Sequence, residues 1–162
     1  VKVCEELCSF NSGFSSRLAV REWTGKLASG SEMQILLQPT FPAFDQKKSG
    51  FRSLSGRREP DLVVTLKAGD RQRFLVIDAK YRTSRSNVLD AMSSAHIYRD
   101  ALRWDTGRAD YALLAVPAAG GAPWLEAPGF REEHRVGVVA LSPDVSDGLV
   151  QQFLRQWIEQ ID

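Results

Sequence analysis

Two apolar runs joined by a short turn constrain the fold more than any other feature of the chain. The first run, DLVVTL, covers residues 61–66, and the second, RFLVIDAKYR, covers residues 73–82. The six residues between them, KAGDRQ, include Gly69. On a strand the side chains alternate between two faces, and both faces of the second run begin apolar, which is typical of a strand covered on both sides. The sequence therefore predicts a β-hairpin inside an α/β sheet.

Charged side chains stand at one end of this predicted hairpin. Asp61 begins the first strand, and Asp78 and Lys80 share a face near the end of the second. The start of one hairpin strand lies beside the end of the other, so the two carboxylates should converge. Magnesium takes oxygen ligands and a small number of carboxylates, which suits Asp61, Asp78 and the backbone carbonyl of Ala79.

Lys80 gives this group of residues a chemical interpretation. Its amine is placed to orient or deprotonate an attacking water and to offset charge on a phosphate. The pattern therefore predicts metal-assisted hydrolysis of a phosphodiester. The competing interpretation is structural: Asp78 and Lys80 form an ion pair at the end of the sheet, and Asp61 caps a turn.

The rest of the chain alternates helical and strand patterns. Val3, Leu7 and Phe10 have helical spacing, which predicts a helix near the start. The two apolar hairpin runs are preceded by a predicted strand and a long polar loop that extends to Arg58. The strand before that loop covers residues 32–41. The other predicted elements are an amphipathic helix in 86–104, strands in 111–118 and 135–143, and a second amphipathic helix in 146–161. The predicted order is helix, three strands, helix, two strands, helix.

Length and composition indicate one ordinary soluble domain. The chain has 162 residues, of which 43% are hydrophobic and 25% charged. It has no long apolar run and no signal-peptide pattern, so we expect a cytoplasmic protein. Because the first residue is Val1, we expect residues 1–162 to be a single domain of a longer protein. Cys4 and Cys8 lack further zinc ligands at suitable spacing and are interpreted as reduced thiols.

Basic residues are concentrated around the hairpin, although the net charge is only +1. Residues 45–85 contain eleven Lys and Arg against five Asp and Glu, a balance of +6, which leaves −5 for the remainder. Such a segment can attract a polyanion, or it can be a solvated loop that keeps the protein soluble. The candidate phosphate contacts are Arg57, Arg58, Arg82 and Arg85.

The arrangement Pro60-Asp61, sixteen residues, then Asp78-Ala79-Lys80 resembles the signature of the PD-(D/E)xK nuclease superfamily. The resemblance implies a restriction-endonuclease-like αβββαβ core, an α/β fold with a central mixed sheet flanked by helices. It also implies an endonuclease that cleaves DNA with Mg²⁺ or Mn²⁺, with Asp61, Asp78 and Lys80 as catalytic residues.

Within the superfamily, FLVIDAKYR followed by AHIYRDAL is most similar to McrC-type nuclease domains, which implies a restriction or defence system. In those domains the helix after the D-x-K strand carries a Gln-x-x-x-Tyr pattern, and here Ser94 and Tyr98 occupy its two ends. Residues four apart share a helix face, so both can point at the site or at DNA. Family members also place a glutamate on the first helix facing the metal. Glu5 is the best match, with Glu6 and Glu22 as alternatives.

Other interpretations remain open at this point. A nucleic-acid-binding module of the same fold could have lost cleavage, although Asp61, Asp78 and Lys80 are intact. A protein-interaction module is suggested by the stripe Leu149, Phe153, Trp157 and Ile161 on the last predicted helix. The resemblance also makes a homodimer or a larger defence complex an expected form. The residues leave DNA or RNA, and one strand or two, as open alternatives for the substrate.

Overall fold

The structure, a computed structural model, describes residues 8–10, 22–81, 84–117, 122–141 and 148–160. The strands in these ranges are β1 (Cys8–Phe10), β2 (Glu22–Leu27), β3 (Glu32–Leu37), β4 (Phe51–Ser53), β5 (Leu62–Ala68), β6 (Arg71–Ala79), β7 (Leu102–Trp104), β8 (Gly107–Arg108), β9 (Tyr111–Val116) and β10 (Val136–Ala140). The helices are α1 (Arg85–Ala101), α2 (Pro128–His134) and α3 (Gly148–Glu159), with a 3-10 turn at Pro123–Glu126.

A seven-stranded mixed sheet forms the centre of the molecule, in the order β1-β2-β3-β5-β6-β9-β10. Neighbours from β1 to β6 are antiparallel, whereas β6, β9 and β10 run parallel. Parallel neighbours need a crossover connection, and α1 supplies the one between β6 and β9. The predicted α/β fold with a central mixed sheet flanked by helices is confirmed.

Both faces of the sheet are covered, as the apolar β6 sequence predicts. Phe74 and Val76 face the layer that contains α1, where the buried helix residues are Val88, Ala91, Met92 and Ala95. Leu75 and Ile77 face the opposite layer, which contains α3. The buried residues of α3 are Phe153, Trp157 and Ile158. Phe153 and Trp157, two residues of the stripe that suggested a protein-interaction module, are therefore part of the core.

A second, three-stranded sheet lies beside the end of α1, and we call it the small sheet. Its order is β4-β7-β8, and all of its pairings are antiparallel. The backbone N–H of Leu54, just after β4, donates to the carbonyl of Ala101 at the end of α1 at 2.8 Å. Phe51 packs between Phe41 and Trp104, with ring centroids 4.8 and 5.5 Å away. The small sheet thus joins the long polar loop to the helix.

Several predicted boundaries are wrong. Cys8–Phe10 is a strand that pairs with β2, not part of a helix. The remainder of the predicted first helix, including Cys4, lies outside the described residues. The helix predicted over residues 86–104 ends at Ala101, because Leu102–Trp104 instead pairs with β4 and β8. The segment predicted as a loop after β9 contains the 3-10 turn and α2.

None of the helices within the described ranges is long and apolar enough to cross a membrane.

Candidate active site

The hairpin of β5 and β6 brings the two aspartates together. Leu62 pairs with Ile77, so Asp61 and Asp78 follow one residue further along at the same end. The Asp61 carboxylate accepts a hydrogen bond from the backbone N–H of Ala79 at 2.9 Å. The Asp61 carbonyl accepts another from the N–H of Gln38 at 2.8 Å. Asp61 is therefore held to both neighbouring strands.

Asp78 and Lys80 form a close ion pair at this end of the sheet. Asp78 is only 2% exposed, and its Oδ2 lies 2.5 Å from Nζ of Lys80. Burial raises the pKa of Asp78, and the negative charge of Asp61 adds to this shift. The hydrogen bond and positive charge of Lys80 oppose the shift without cancelling it. Asp78 is therefore a buried carboxylate whose burial Lys80 compensates only in part.

The donor set fits a hard divalent cation. Magnesium is commonly bound by one or two carboxylates, with water and substrate phosphate completing the octahedron. Asp61 and Asp78 supply the carboxylates, and a bound cation would favour the charged form of Asp78 against the burial, and the smaller effect of the Asp61 charge, that raise its pKa. Across the described ranges, no third His, Cys, Asp or Glu joins them to form a larger cluster.

The third acid predicted from the family is only partly described. Glu5, and its alternative Glu6, lie outside the described residues. Glu22 lies on β2 rather than on a helix, so its assignment to the first helix is wrong. Its exposed carboxylate accepts a hydrogen bond from the side chain of Gln34 at 3.3 Å. Glu5 therefore stays a prediction.

Helix α1 brings a tyrosine to the two aspartates. Tyr98 is half-buried, and its pKa is raised to about 12 by burial and by the charges of Asp78 and Asp61. The positive charge of Arg58 acts on the same phenol in the opposite direction. The Tyr98 hydroxyl therefore lies close enough to Asp61, Asp78 and Arg58 to feel the charge of each. Ser94, also half-buried, lies one helical turn earlier on the same side of α1.

The predicted phosphate contacts have different environments. Arg57 forms an ion pair with Glu59, which also accepts a hydrogen bond from Thr40. Arg58 is half-buried, and its Nε is buried without a hydrogen-bond partner in the described part of the chain. Arg85 begins α1 and lies over the ring of Trp124 at 5.3 Å. Arg82 lies outside the described residues.

Two features of the site were missed by sequence reasoning. Tyr81, directly after Lys80, is 89% exposed, although its strand position suggested a covered face. Its exposure follows from the end of β6 at Ala79. Gln38, which donates to Asp61, has a left-handed backbone with φ of 47°. The signal for an irregular backbone was available, because Pro39 disfavours the right-handed helical conformation of the residue before it.

Comparison with known proteins bears on the family of the chain. A family model described as the PD-(D/E)XK nuclease superfamily matches residues 11–119, more than half of the chain. The matched range contains Asp61, Asp78, Lys80 and Tyr98 but not Glu5. Searches of curated proteins and of solved structures returned no match.

Proposed function

Because the chain belongs to the PD-(D/E)XK nuclease superfamily, we propose that it is a metal-dependent endonuclease that hydrolyses DNA phosphodiester bonds. The observation that carries the proposal is the convergence of Asp61 and Asp78 beside Lys80. Ala79 N–H fixes the Asp61 carboxylate at 2.9 Å, and Lys80 Nζ contacts Asp78 at 2.5 Å. A structural ion pair alone would not require a second carboxylate oriented towards the same hairpin end.

In this proposal, each residue of the site has a defined role. Asp61, Asp78 and the Ala79 carbonyl hold Mg²⁺ or Mn²⁺, and Glu5 completes the set. The cation, when bound, polarises the scissile phosphate and offsets its developing charge. Lys80 orients the attacking water and stabilises negative charge through its ammonium group. The ammonium group of Lys80 can move away from Asp78 to take this role, because a bound cation would then supply the positive charge beside the Asp78 carboxylate.

The residues around the carboxylates bind the substrate in this proposal. The phenol of Tyr98 stays neutral below about pH 12 and therefore serves as a hydrogen-bond donor to a phosphate oxygen. Ser94 supplies a second hydroxyl on the same helix face. Arg58, Arg82 and Arg85 contact phosphates, and Arg57 does so after exchanging Glu59 for a phosphate.

The likeness to McrC-type domains supports a finer proposal. It rests on the strand that ends in Asp78-Ala79-Lys80 and on Tyr98 in the helix that follows. We propose on this basis that the chain acts in a restriction or defence system, as a homodimer or within a larger complex. A DNA substrate is the corresponding partner.

Cleavage of plasmid DNA and of a single-stranded oligonucleotide, with and without Mg²⁺ or Mn²⁺, tests the proposed function. Asp61→Ala and Asp78→Ala should each abolish cleavage. Asp70→Ala is the matched control, because Asp70 is an exposed aspartate in the turn at the other end of the same hairpin. Near wild-type activity in either site variant would show that Asp61 and Asp78 are wrongly assigned as the catalytic site. Cleavage that persists in EDTA would also contradict the assignment.

A further inference from the structure

Three arginines lie directly opposite one another on the small sheet. Arg52 of β4 pairs in register with Arg103 of β7, and Arg103 pairs with Arg108 of β8. Directly opposed residues of an antiparallel pair project from the same face, and like charges in such positions are destabilising. The row therefore costs the free protein stability, which makes it an unexpected arrangement for a purely structural sheet.

A fourth arginine joins this row from α1. Arg99 is half-buried, and its Nε and Nη1 are buried without a hydrogen-bond partner in the described part of the chain. Burial lowers the pKa of Arg99, and the positive charge of Arg108 lowers it further. Burial likewise lowers the pKa of Arg103, with Arg108 and Arg52 adding to the shift. We call Arg52, Arg99, Arg103 and Arg108 the arginine cluster.

Nearby acids neutralise the arginine cluster only in part, because the charge of Asp100 acts on Arg99 and Arg103 and that of Asp105 interacts with Arg52. None of its members forms an ion pair with a carboxylate among the described residues. Arg52 donates to the carbonyls of Lys48 and Asp105, and Arg103 donates to those of Asp100 and Leu102. These bonds orient two guanidinium groups, but a neutral carbonyl leaves their charge in place. Asp110, whose charge acts on Arg99, is already paired with Arg73 at 2.5 Å.

We propose that the arginine cluster binds the phosphate backbone of the nucleic acid substrate, at the opposite end of α1 from Arg85. This inference rests on the proposed function and extends it, because it assigns a second contact surface away from the carboxylates. Guanidinium groups bind phosphate oxygens through charge-assisted hydrogen bonds. A bound polyanion would supply the negative charge that the cluster lacks.

The geometry of the row suits a phosphate backbone. Adjacent strands are about 4.8 Å apart, so three opposed arginines span roughly 10 Å. One strand of duplex DNA has one phosphate for about every 3.4 Å along the helix axis. Roughly three phosphates therefore fit along the length of the row. Arg99 directly follows Tyr98, whose phenol is in the electrostatic neighbourhood of Asp61 and Asp78. A strand held by the cluster can therefore continue along α1 to the carboxylates.

The salt dependence of duplex binding tests this assignment in the inactive Asp78→Ala background. Affinity falls with the logarithm of salt concentration by a slope of about 0.9 per phosphate contact. Replacing Arg99 and Arg108 together by Gln should lower the slope by about 1–2 and weaken all DNA sequences alike. Lys26→Gln with Lys67→Gln is the charge-matched control, because both lysines are exposed and lie on β2 and β5 of the main sheet, outside the arginine cluster. The control should keep the parental slope.

Thermal unfolding of the same variants separates binding from a structural role. Removing two like charges should leave the melting temperature unchanged or raise it. A lower melting temperature with an unchanged salt slope would show that the cluster only holds the small sheet to α1, and would overturn the assignment. A loss of affinity for polyglutamate but not for DNA would overturn it in favour of an acidic protein partner.

Failure of this inference and failure of the proposed function give different results. If the wild-type protein cleaves DNA but the salt slope of the Arg99 and Arg108 variant matches its parent, only the arginine cluster assignment is wrong. If the slope falls as expected but the wild-type protein does not cleave, the cluster assignment stands and the endonuclease proposal is wrong.

Discussion

Asp78 is a buried carboxylate whose burial folding alone does not explain. A carboxylate that is almost fully covered by protein is costly, because burial disfavours its charged form. Lys80 offsets part of that cost, yet the pKa of Asp78 remains above the ordinary value of 3.8. Functional sites often retain such destabilising groups, because the same charge is needed for binding or catalysis.

Asp78→Asn should therefore stabilise the metal-free protein at neutral pH. A raised carboxyl pKa means that the native state binds more protons, so wild-type stability falls as pH rises through the range above 3.8. The variant carries no such charge, and its advantage should disappear below that pH. Melting curves in EDTA at several pH values measure this, with about 2–4 °C expected per kcal/mol.

Asp70→Asn is the control for this stability effect, because Asp70 is exposed in the hairpin turn. The melting temperature of Asp70→Asn should equal that of the wild type at each pH measured. An Asp78→Asn protein that melts below the wild type at neutral pH in EDTA would show that the pair with Lys80 contributes more stability than burial removes.

Tyr98 is predicted to act as a donor rather than as a base. Its pKa of about 12 keeps the phenol protonated throughout the usual assay range. Tyr98→Phe should lower the cleavage rate by about fivefold, the equivalent of one neutral hydrogen bond of ~1 kcal/mol. Rates measured from pH 6 to 10 should keep the wild-type profile. Loss of a limb of that profile in the variant would instead indicate that Tyr98 titrates during catalysis.

At the scale of the elements, strand β10 depends on one glycine for its contact with α2. A Cβ at Gly137 would lie 2.7 Å from the Leu125 carbonyl and 2.7 Å from Cγ of Arg131. The side chain of Arg131 is buried here, where it donates to the Glu126 carbonyl and lies over the Phe153 ring at 5.6 Å. Close approach of the backbone and of Arg131 therefore requires the absence of a side chain at Gly137.

Gly137→Ala should destabilise the protein by about 1–3 kcal/mol, the usual cost of overpacking a core. Chemical denaturation measures the change. Gly129→Ala in α2 is the matched control, since no atom lies within 4 Å of the added Cβ and alanine favours helix. Equal denaturation midpoints for Gly137→Ala and Gly129→Ala would show that the contact between β10 and α2 does not require a glycine at position 137.

The elements that local sequence could predict are those with strong periodic patterns. The hairpin of β5 and β6 has two apolar runs around a glycine turn, and α1 has apolar residues three or four apart. By contrast, β7 continued the apparent helical pattern without a glycine or proline to end it, and β2 had no clear alternation. These strands form because of partners distant in sequence: β7 pairs with β4, and β2 pairs with β1 and β3.

At the scale of the whole molecule, α1 connects two surfaces that the sequence presents separately. Near its end it brings Tyr98 to the hairpin carboxylates, and one residue later Arg99 joins the small sheet. The convergence of Asp61 and Asp78 could be predicted, because it follows from a single local hairpin. The arginine cluster could not, because Arg52 meets Arg103 only through pairing between segments about fifty residues apart.

Calorimetric titration of the metal-free protein with Mn²⁺ tests the central claim, that Asp61 and Asp78 form one cation site, most directly. The wild type and Asp70→Ala should bind with the same affinity. Asp61→Ala and Asp78→Ala should each weaken binding at least about tenfold, a loss of ~1.4 kcal/mol, while circular dichroism shows a retained fold. Wild-type affinity in either site variant would contradict the claim and leave the aspartates as structural groups at the end of a hairpin.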